Sequence, residues 1–169
     1  MKCYIVGPVA SGKSTLANQL SNLTNIPAFH LDEVLRFPDS TAPTGNRKRS
    51  EAEWSAIFEK ILSLDQWIME DTGREIFSHG LDLADEIVLL CPPKYIRYQR
   101  ILTRWFRQHL GREYCIYTPN LAMLQAMFRW SRAYDAGSDG VKQRLHSYQN
   151  KITELKNQQE LNLWLKKFT

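Results

Sequence analysis

Nowhere in these 169 residues is there an apolar run long enough to cross a bilayer, so no membrane-spanning helix is expected. Cysteine is scarce. Cys3, Cys91 and Cys115 form no C-x-x-C pair, which argues against a structural metal site or a disulfide framework. Reduced thiols in a cytoplasmic protein are the simpler account. The N-terminus has no basic leader followed by a small-residue cleavage site; Met1 to Gly7 runs straight into a glycine loop and reads as part of the fold. Repeats, low-complexity tracts and linkers are also lacking, so 1–169 reads as one domain, large enough for a real core. Charge of one sign does not dominate: 22 Lys and Arg against 18 Asp and Glu leave a net +4. That small excess suits nucleic acid or nucleotide phosphates, and the placement of the basic residues matters more than their sum.

What is present is more specific. Gly7 to Thr15 read G-P-V-A-S-G-K-S-T and satisfy G-x-x-x-x-G-K-[ST], a phosphate-binding loop. The apolar run Cys3 to Val6 precedes it, and Leu16, Ala17, Leu20 and Leu23 follow at helical spacing. Strand, glycine loop and helix are the context the motif needs, because loop N–H groups and the helix N-terminus then face a phosphate. Gly7, Ala10, Ser11, Gly12, Lys13, Ser14 and Thr15 are therefore the nucleotide-binding candidates. Lys13 is expected to reach the β- and γ-phosphates, and the Ser14 hydroxyl to ligate Mg²⁺.

The rest of the chain alternates strand and helix. Ala28 to Asp32 reads as a second strand, and Phe37 to Arg49, with Pro38, Pro43 and Gly45, as a loop. Ser50 to Glu53 fits a capping box, after which Trp54, Ile57, Phe58, Ile61 and Leu62 share a helical face. Trp67 to Asp71 and Glu86 to Cys91 read as strands, the second a near-continuous apolar run stopped by Pro92 and Pro93. A helix is predicted from about Lys94 to Leu110, and another from near Pro119 with Leu121, Leu124, Met127 and Phe128 inward. Asp135 to Gly140 reads as a break, followed by a helix to about Asn150. A weak strand at Lys151 to Lys156 and an amphipathic helix carrying Leu161, Trp164, Leu165 and Phe168 complete the pattern. Repeated β-α units imply an α/β fold with a parallel sheet and helices on both faces, binding ligands beyond the carboxyl ends of the strands.

That edge should gather the P-loop, Asp32, Glu70, Asp71 and Pro92. Asp32 is the leading carboxylate, placed to orient a Mg²⁺ water or an acceptor hydroxyl. Glu70 and Asp71 point to opposite faces of a strand, so one serves the site and the other the structure, and the sequence does not say which. His30 reads as a packed strand residue. Arg97, Arg100, Arg104 and Arg107, spaced three, four and three, share one helical face, with Ile101, Leu102, Trp105 and Phe106 opposite and no acid to offset them. Arginine suits bidentate phosphate contacts, and one or two of the four are expected to reach a nucleotide.

The ordered set G-P-V-A-S-G-K-S-T, I-P-A-F-H-L-D-E, W-I-M-E-D-T-G-R and A-D-E-I-V-L-L-C-P-P, with Arg100 and Arg104 in R-x-x-x-R, covers nearly the whole chain. It resembles the adenylate-kinase-like P-loop kinases, and most closely the DNA-topology-modulation (FlaR-like) proteins. The resemblance implies a five-stranded parallel sheet, ATP on the P-loop and a short arginine-bearing lid at about 104–118, with about 33–64 on the acceptor side. Where nucleoside monophosphate kinases carry D-G-x-P-R, this chain has Glu70-Asp71-Thr72-Gly73-Arg74. Arg74 matches the arginine that in those kinases contacts the acceptor's phosphate; Glu70 replaces the Asp, and Asp71 replaces a glycine. Val9 and Ala10 stand where relatives commonly have Pro-Gly.

The residues support either of two functions. In the first, the protein is a Mg-dependent, ATP-binding small-molecule kinase acting on a nucleotide, nucleoside or polar metabolite. Lys13, Asp32 and Arg104 are its catalytic candidates, Ser14 and Asp32 its metal ligands, Arg100 and Arg104 further nucleotide contacts, and Asp32, Arg36, Glu70 and Arg74 its substrate contacts. The lid, Arg100 to about Pro119, closes over ATP. In the second, it is a nucleotide-dependent regulator that binds nucleic acid or a protein partner; direct DNA binding is not favoured, since no helix-turn-helix or zinc motif is present.

Overall fold

A computed structural model describes residues 1–42, 45–113 and 119–168. In chain order the strands are β1 (Lys2–Val6), β2 (Ala28–His30), β3 (Arg36–Pro38), β4 (Asn46–Lys48), β5 (Trp67–Asp71), β6 (Glu86–Leu90) and β7 (Ile152–Leu155). The helices are α1 (Lys13–Thr24), α2 (Leu31–Leu35), α3 (Glu51–Leu62), α4 (Ser78–Leu83), α5 (Lys94–His109), α6 (Leu121–Ala136), α7 (Val141–His146) and α8 (Gln158–Leu165). Five strands form one sheet in the order β2-β5-β1-β6-β7, every pairing parallel. β1 is central, so the loop after it emerges at the middle of the carboxyl edge.

Alternation along β1 builds both cores. Cys3 and Ile5 face α1 and α8, where they bury with Leu16, Ala17, Leu20 and Trp164. Tyr4 and Val6 face the other way, onto Phe58, Ile61, Phe77 and Leu81 from α3, the turn after β5, and α4. The capping box at the start of α3 is formed as the sequence predicts: Ser50 accepts from the Glu53 amide, and the Glu53 carboxylate takes the Ser50 amide.

Several boundaries differ from the sequence reading. The second strand stops at His30 rather than Asp32, and Leu31 to Leu35 turn into a short helix. Leu31, Val34 and Leu35 are buried at i, i+3 and i+4, a helical period that the strand reading overlooked. Arg49 closes this helix by donating to the carbonyls of Glu33, Val34 and Arg36. Phe37 to Arg49 is not all loop: β3 and β4 pair as an antiparallel hairpin, Arg36 opposite Lys48 and Pro38 opposite Asn46. Arg47 and Arg49 lie over the Phe37 ring and hold it in the hairpin.

α6 starts at Leu121 on an Asn120 cap and runs through Asp135 to Ala136, so the break is confined to Gly137 to Gly140. Leu121 is exposed instead of inward. Leu102 and Phe106 are likewise exposed, since the buried face of α5 is formed by Arg97, Ile101 and Gln108. The helix after the break ends at His146, short of Asn150. No helix among the described residues is long and apolar enough to cross a membrane.

Candidate active site

The P-loop starts where β1 ends, and sterics shape it. A Cβ on Gly7 would meet the Leu90 carbonyl oxygen at 2.5 Å, so only glycine lets β1 hand over to the loop this close to β6. Two left-handed residues then turn the chain, Ala10 at φ 61 and Gly12 at φ 103. Alanine at a positive φ is strained. α1 begins with no side-chain cap and no acid in its first turn, which leaves its N–H donors available to an anion. Lys13 is buried and donates Nζ to the Pro8 carbonyl at 3.0 Å, folded over its own loop.

Glu70 and Asp71 divide as their opposite faces require. Glu70, only 7% exposed, accepts from the Ser14 hydroxyl at 2.9 Å, and its Oε1 lies 3.0 Å from His30 Nδ1. Burial pushes its carboxyl up, yet the His30 hydrogen bond, Lys13 and Ser14 together hold it below the usual range. His30 is raised by its hydrogen bond to Glu70, against the opposing effect of burial. His30 is thus more than a packed strand residue. The signal missed in the sequence was register: β2 pairs with β5 so that His30 stands opposite Glu70.

Asp71 turns away from the P-loop. Its Oδ2 takes the amides of Gly73 and Arg74 at 2.8 and 2.6 Å, and Oδ1 takes Arg74 Nε at 2.6 Å. Gly73, at φ 90, makes this tight turn possible. Arg74 also donates from Nη1 to Asp32 Oδ1 at 2.9 Å. Asp32 therefore sits in the first turn of α2, paired with Arg74, while Ser14 pairs with Glu70.

The arginine helix splits by role. Arg97, 2% exposed, points into the body and pairs with Ser131 and Asp135 of α6. Arg100 donates to the Ser11 carbonyl at 2.8 Å and reaches that of Ala10 at 3.4 Å. Arg104 pairs with Glu113 at 3.1 Å, so acids do offset two of the four, Asp135 from another helix and Glu113 from beyond Gly111. Arg107 lines the cavity beside the loop. Tyr114 to Thr118 of the expected lid, and with them Cys115, lie outside the described residues.

Two cavities flank the loop. The larger, about 740 Å³, is lined by Ala10 to Thr15 together with Arg100, Arg104 and Arg107 of α5 and Gln158 of α8. The other, about 430 Å³, touches the opposite flank of the loop at Pro8 and Val9. Asp32, Arg36 and Arg74 line it, joined by Trp130, Tyr134 and Arg144. Those last three come from α6 and α7, and nothing in their local pattern sets them apart in the sequence. Trp54, by contrast, packs edge-on to Phe77 at 5.6 Å. Among the described residues no group of three or more His, Cys, Asp or Glu is arranged to hold a metal ion by itself.

The fold is that of P-loop kinases. The deoxyadenosine kinase of M. mycoides, solved with bound dATP, superposes at a TM-score of 0.58 with 14% identity over 99% of this chain and 98% of that one. Shikimate kinase from Acinetobacter baumannii, in complex with shikimate, gives 0.54 and 17% over 97% and 88%. A gluconokinase from Sinorhizobium meliloti 1021 gives 0.52 and 13% over 99% and 88%. No protein-family model and no curated protein matches the sequence significantly.

Proposed function

We propose that the protein is an ATP-dependent small-molecule kinase that transfers the γ-phosphoryl group of ATP to a hydroxyl of a small acceptor. The observation that carries this reading is the pair of cavities meeting at the P-loop, one on the Lys13 flank and one on the Asp32 flank. Structural neighbours that bind dATP or shikimate support it as analogues of fold.

In this reading the triphosphate lies along Ala10 to Thr15. The loop amides and the α1 N-terminus bind its oxygens, and Lys13 exchanges the Pro8 carbonyl for phosphate. Arg100 is already at the loop, and Arg104 exchanges Glu113 for the nucleotide as the lid closes. The Ser14 hydroxyl and the Glu70 carboxylate, 2.9 Å apart, are hard oxygen donors and fit Mg²⁺, which takes few protein ligands when phosphates supply the rest. Bound there, Mg²⁺ would neutralise phosphate charge and orient the γ-phosphoryl group. The metal role expected of Asp32 thereby passes to Glu70, and Asp32 serves the acceptor. The acceptor oxygen bonds to Pγ as the bond from Pγ to the ADP oxygen breaks, that electron pair leaves on ADP, and the hydroxyl proton passes to Asp32 Oδ2.

The test is phosphoryl transfer from γ-labelled ATP across a panel of nucleosides, nucleotides and polar metabolites. Lys13→Ala should lower turnover by about 10²-fold or more without loss of fold. Absence of labelled product with every acceptor would contradict the reading.

A further inference from the structure

The cavity beside Asp32 holds three guanidiniums that are not equivalent. Arg74 is already neutralised. Asp71, whose side chain is 0% exposed, binds it through Nε and Nη2, and Asp32 binds its Nη1. Drawing Arg74 onto a substrate phosphate would strand a buried carboxylate.

Arg144 and Arg36 differ in this respect. Arg144 donates Nε and Nη2 to the Gly73 carbonyl at 3.1 and 3.0 Å, and Nη2 to that of Asp139 at 3.4 Å. The carboxylate nearest to it is Glu75, 3.9 Å from Nη1 and itself 85% exposed. Arg36 donates to the neutral Asn46 side chain at 2.8 Å and has no carboxylate in ion-pair range among the described residues. Carbonyl and amide oxygens aim a guanidinium without cancelling its charge. Arg36, without a carboxylate partner among the described residues, and Arg144, offset only by the exposed Glu75 at 3.9 Å, therefore face one small cavity.

The remaining walls narrow the choice. Tyr134, 6% exposed, has its hydroxyl engaged with Cys91 at 3.1 Å and Lys142 over its ring at 5.2 Å, so it shows the cavity only part of its ring, and the more exposed Trp130 offers the larger apolar surface. Asp32 and Asp139 in the same wall oppose a dianion.

Building on the kinase reading, we propose that the acceptor is a small hydroxy acid. Its carboxylate is held by Arg36 and Arg144, its hydrocarbon part lies against Trp130 and Tyr134, and its hydroxyl is presented to Asp32. That hydroxyl oxygen forms the new bond to Pγ, ADP leaves with the electron pair of the broken bond, and the proton goes to Asp32. Nucleoside monophosphates are excluded because the arginine that would clamp their phosphate is committed to Asp71.

The experiment uses glycerate, threonate and quinate beside their neutral counterparts glycerol, threitol and methyl quinate, with AMP, adenosine and glucose 6-phosphate as further arms. Binding is followed by calorimetry with a non-hydrolysable ATP analogue and Mg²⁺ present, and transfer by ADP release from Mg-ATP. At least one acid should bind about 10-fold or more tightly than its neutral counterpart, and Arg144→Gln and the more exposed Arg36→Gln should each erase that preference. Arg144→Lys should restore part of it, and affinity for the ATP analogue should be unchanged in all three. Transfer to AMP, adenosine or glucose 6-phosphate instead, silence from every acid, or acid binding indifferent to Arg144→Gln overturns the proposal. Failure to bind the ATP analogue at all sinks the kinase reading itself, and the calorimetry separates that outcome from a wrong acceptor class.

Discussion

Replacing Asp71 with Asn keeps the shape of the side chain and removes its charge. In the structure that carboxylate, 0% exposed, accepts from two backbone amides and from two nitrogens of Arg74, which is itself 29% exposed. Burial lowers the Arg74 pKa, but Asp71 and then Asp32 more than reverse this, so the guanidinium stays charged. Asn would also turn an amide donor toward donors. Breaking one partner of a buried pair costs about 3–5 kcal/mol. For a chain of this size that corresponds to roughly 10 °C in Tm. Urea unfolding of the wild type, Asp71→Asn, Arg74→Met and the double variant measures it. The double variant should recover about 1–3 kcal/mol relative to the sum of the singles, because no charge is then left stranded. A loss below about 1 kcal/mol for Asp71→Asn, or additive singles, would refute the assignment of Arg74 to structure rather than to substrate.

The same geometry sets four other expectations. Glu70→Gln should lower turnover by about 10²-fold with a modest loss of stability, read by steady-state kinetics and urea unfolding. Gly7→Ala should cost about 1–3 kcal/mol and weaken nucleotide binding, since its Cβ would meet the Leu90 carbonyl at 2.5 Å, and calorimetry with an ATP analogue checks it. His30 is raised by Glu70, so its contribution to stability is fully present below its unfolded value of about 6.5 and fades as pH rises through the raised folded value. Unfolding midpoints measured from pH 6 to 9 should show that decline, and His30→Gln should flatten it. Duplex DNA should not bind tightly even at low salt, because Arg97 is buried, Arg100 faces the P-loop and Arg104 is paired; fluorescence anisotropy tests this.

The nucleotide half of the site was legible in the sequence because it is local. Nine contiguous residues specify loop, lysine and hydroxyl, and a short apolar strand before them with a period-3.6 helix after them fixes the context. Most strands were legible for the same reason, as short apolar runs bounded by turn residues; β7, Ile-Thr-Glu-Leu, gave only a weak pattern, and the five-stranded parallel sheet was what the family resemblance implied. The proposed acceptor half is long-range. Arg144 reaches Gly73 across 71 residues, and Trp130 and Tyr134 share a cavity with Asp32 only after α6 packs. Spacing carries no trace of such contacts. The arginine stripe shows the limit from the other side. Its periodicity was read correctly as one helical face, but that face straddles the boundary between core and cavity, so Arg97 falls inside and Arg107 outside. Helical period locates a face, and only packing decides what the face meets. Asp32 was singled out as the end of the second strand, which stops two residues earlier, at His30.

The central claim is that nucleotide and acceptor occupy opposite flanks of the P-loop. Backbone and side-chain NMR shifts on adding a non-hydrolysable ATP analogue with Mg²⁺ test it most directly. The account predicts large shifts at Gly7 to Thr15, Arg100 and Arg107, lost in Lys13→Ala, with Trp130 and Arg144 left to respond to the acceptor. Shifts centred on Trp130, Tyr134 and Arg144 with the P-loop unmoved would contradict it.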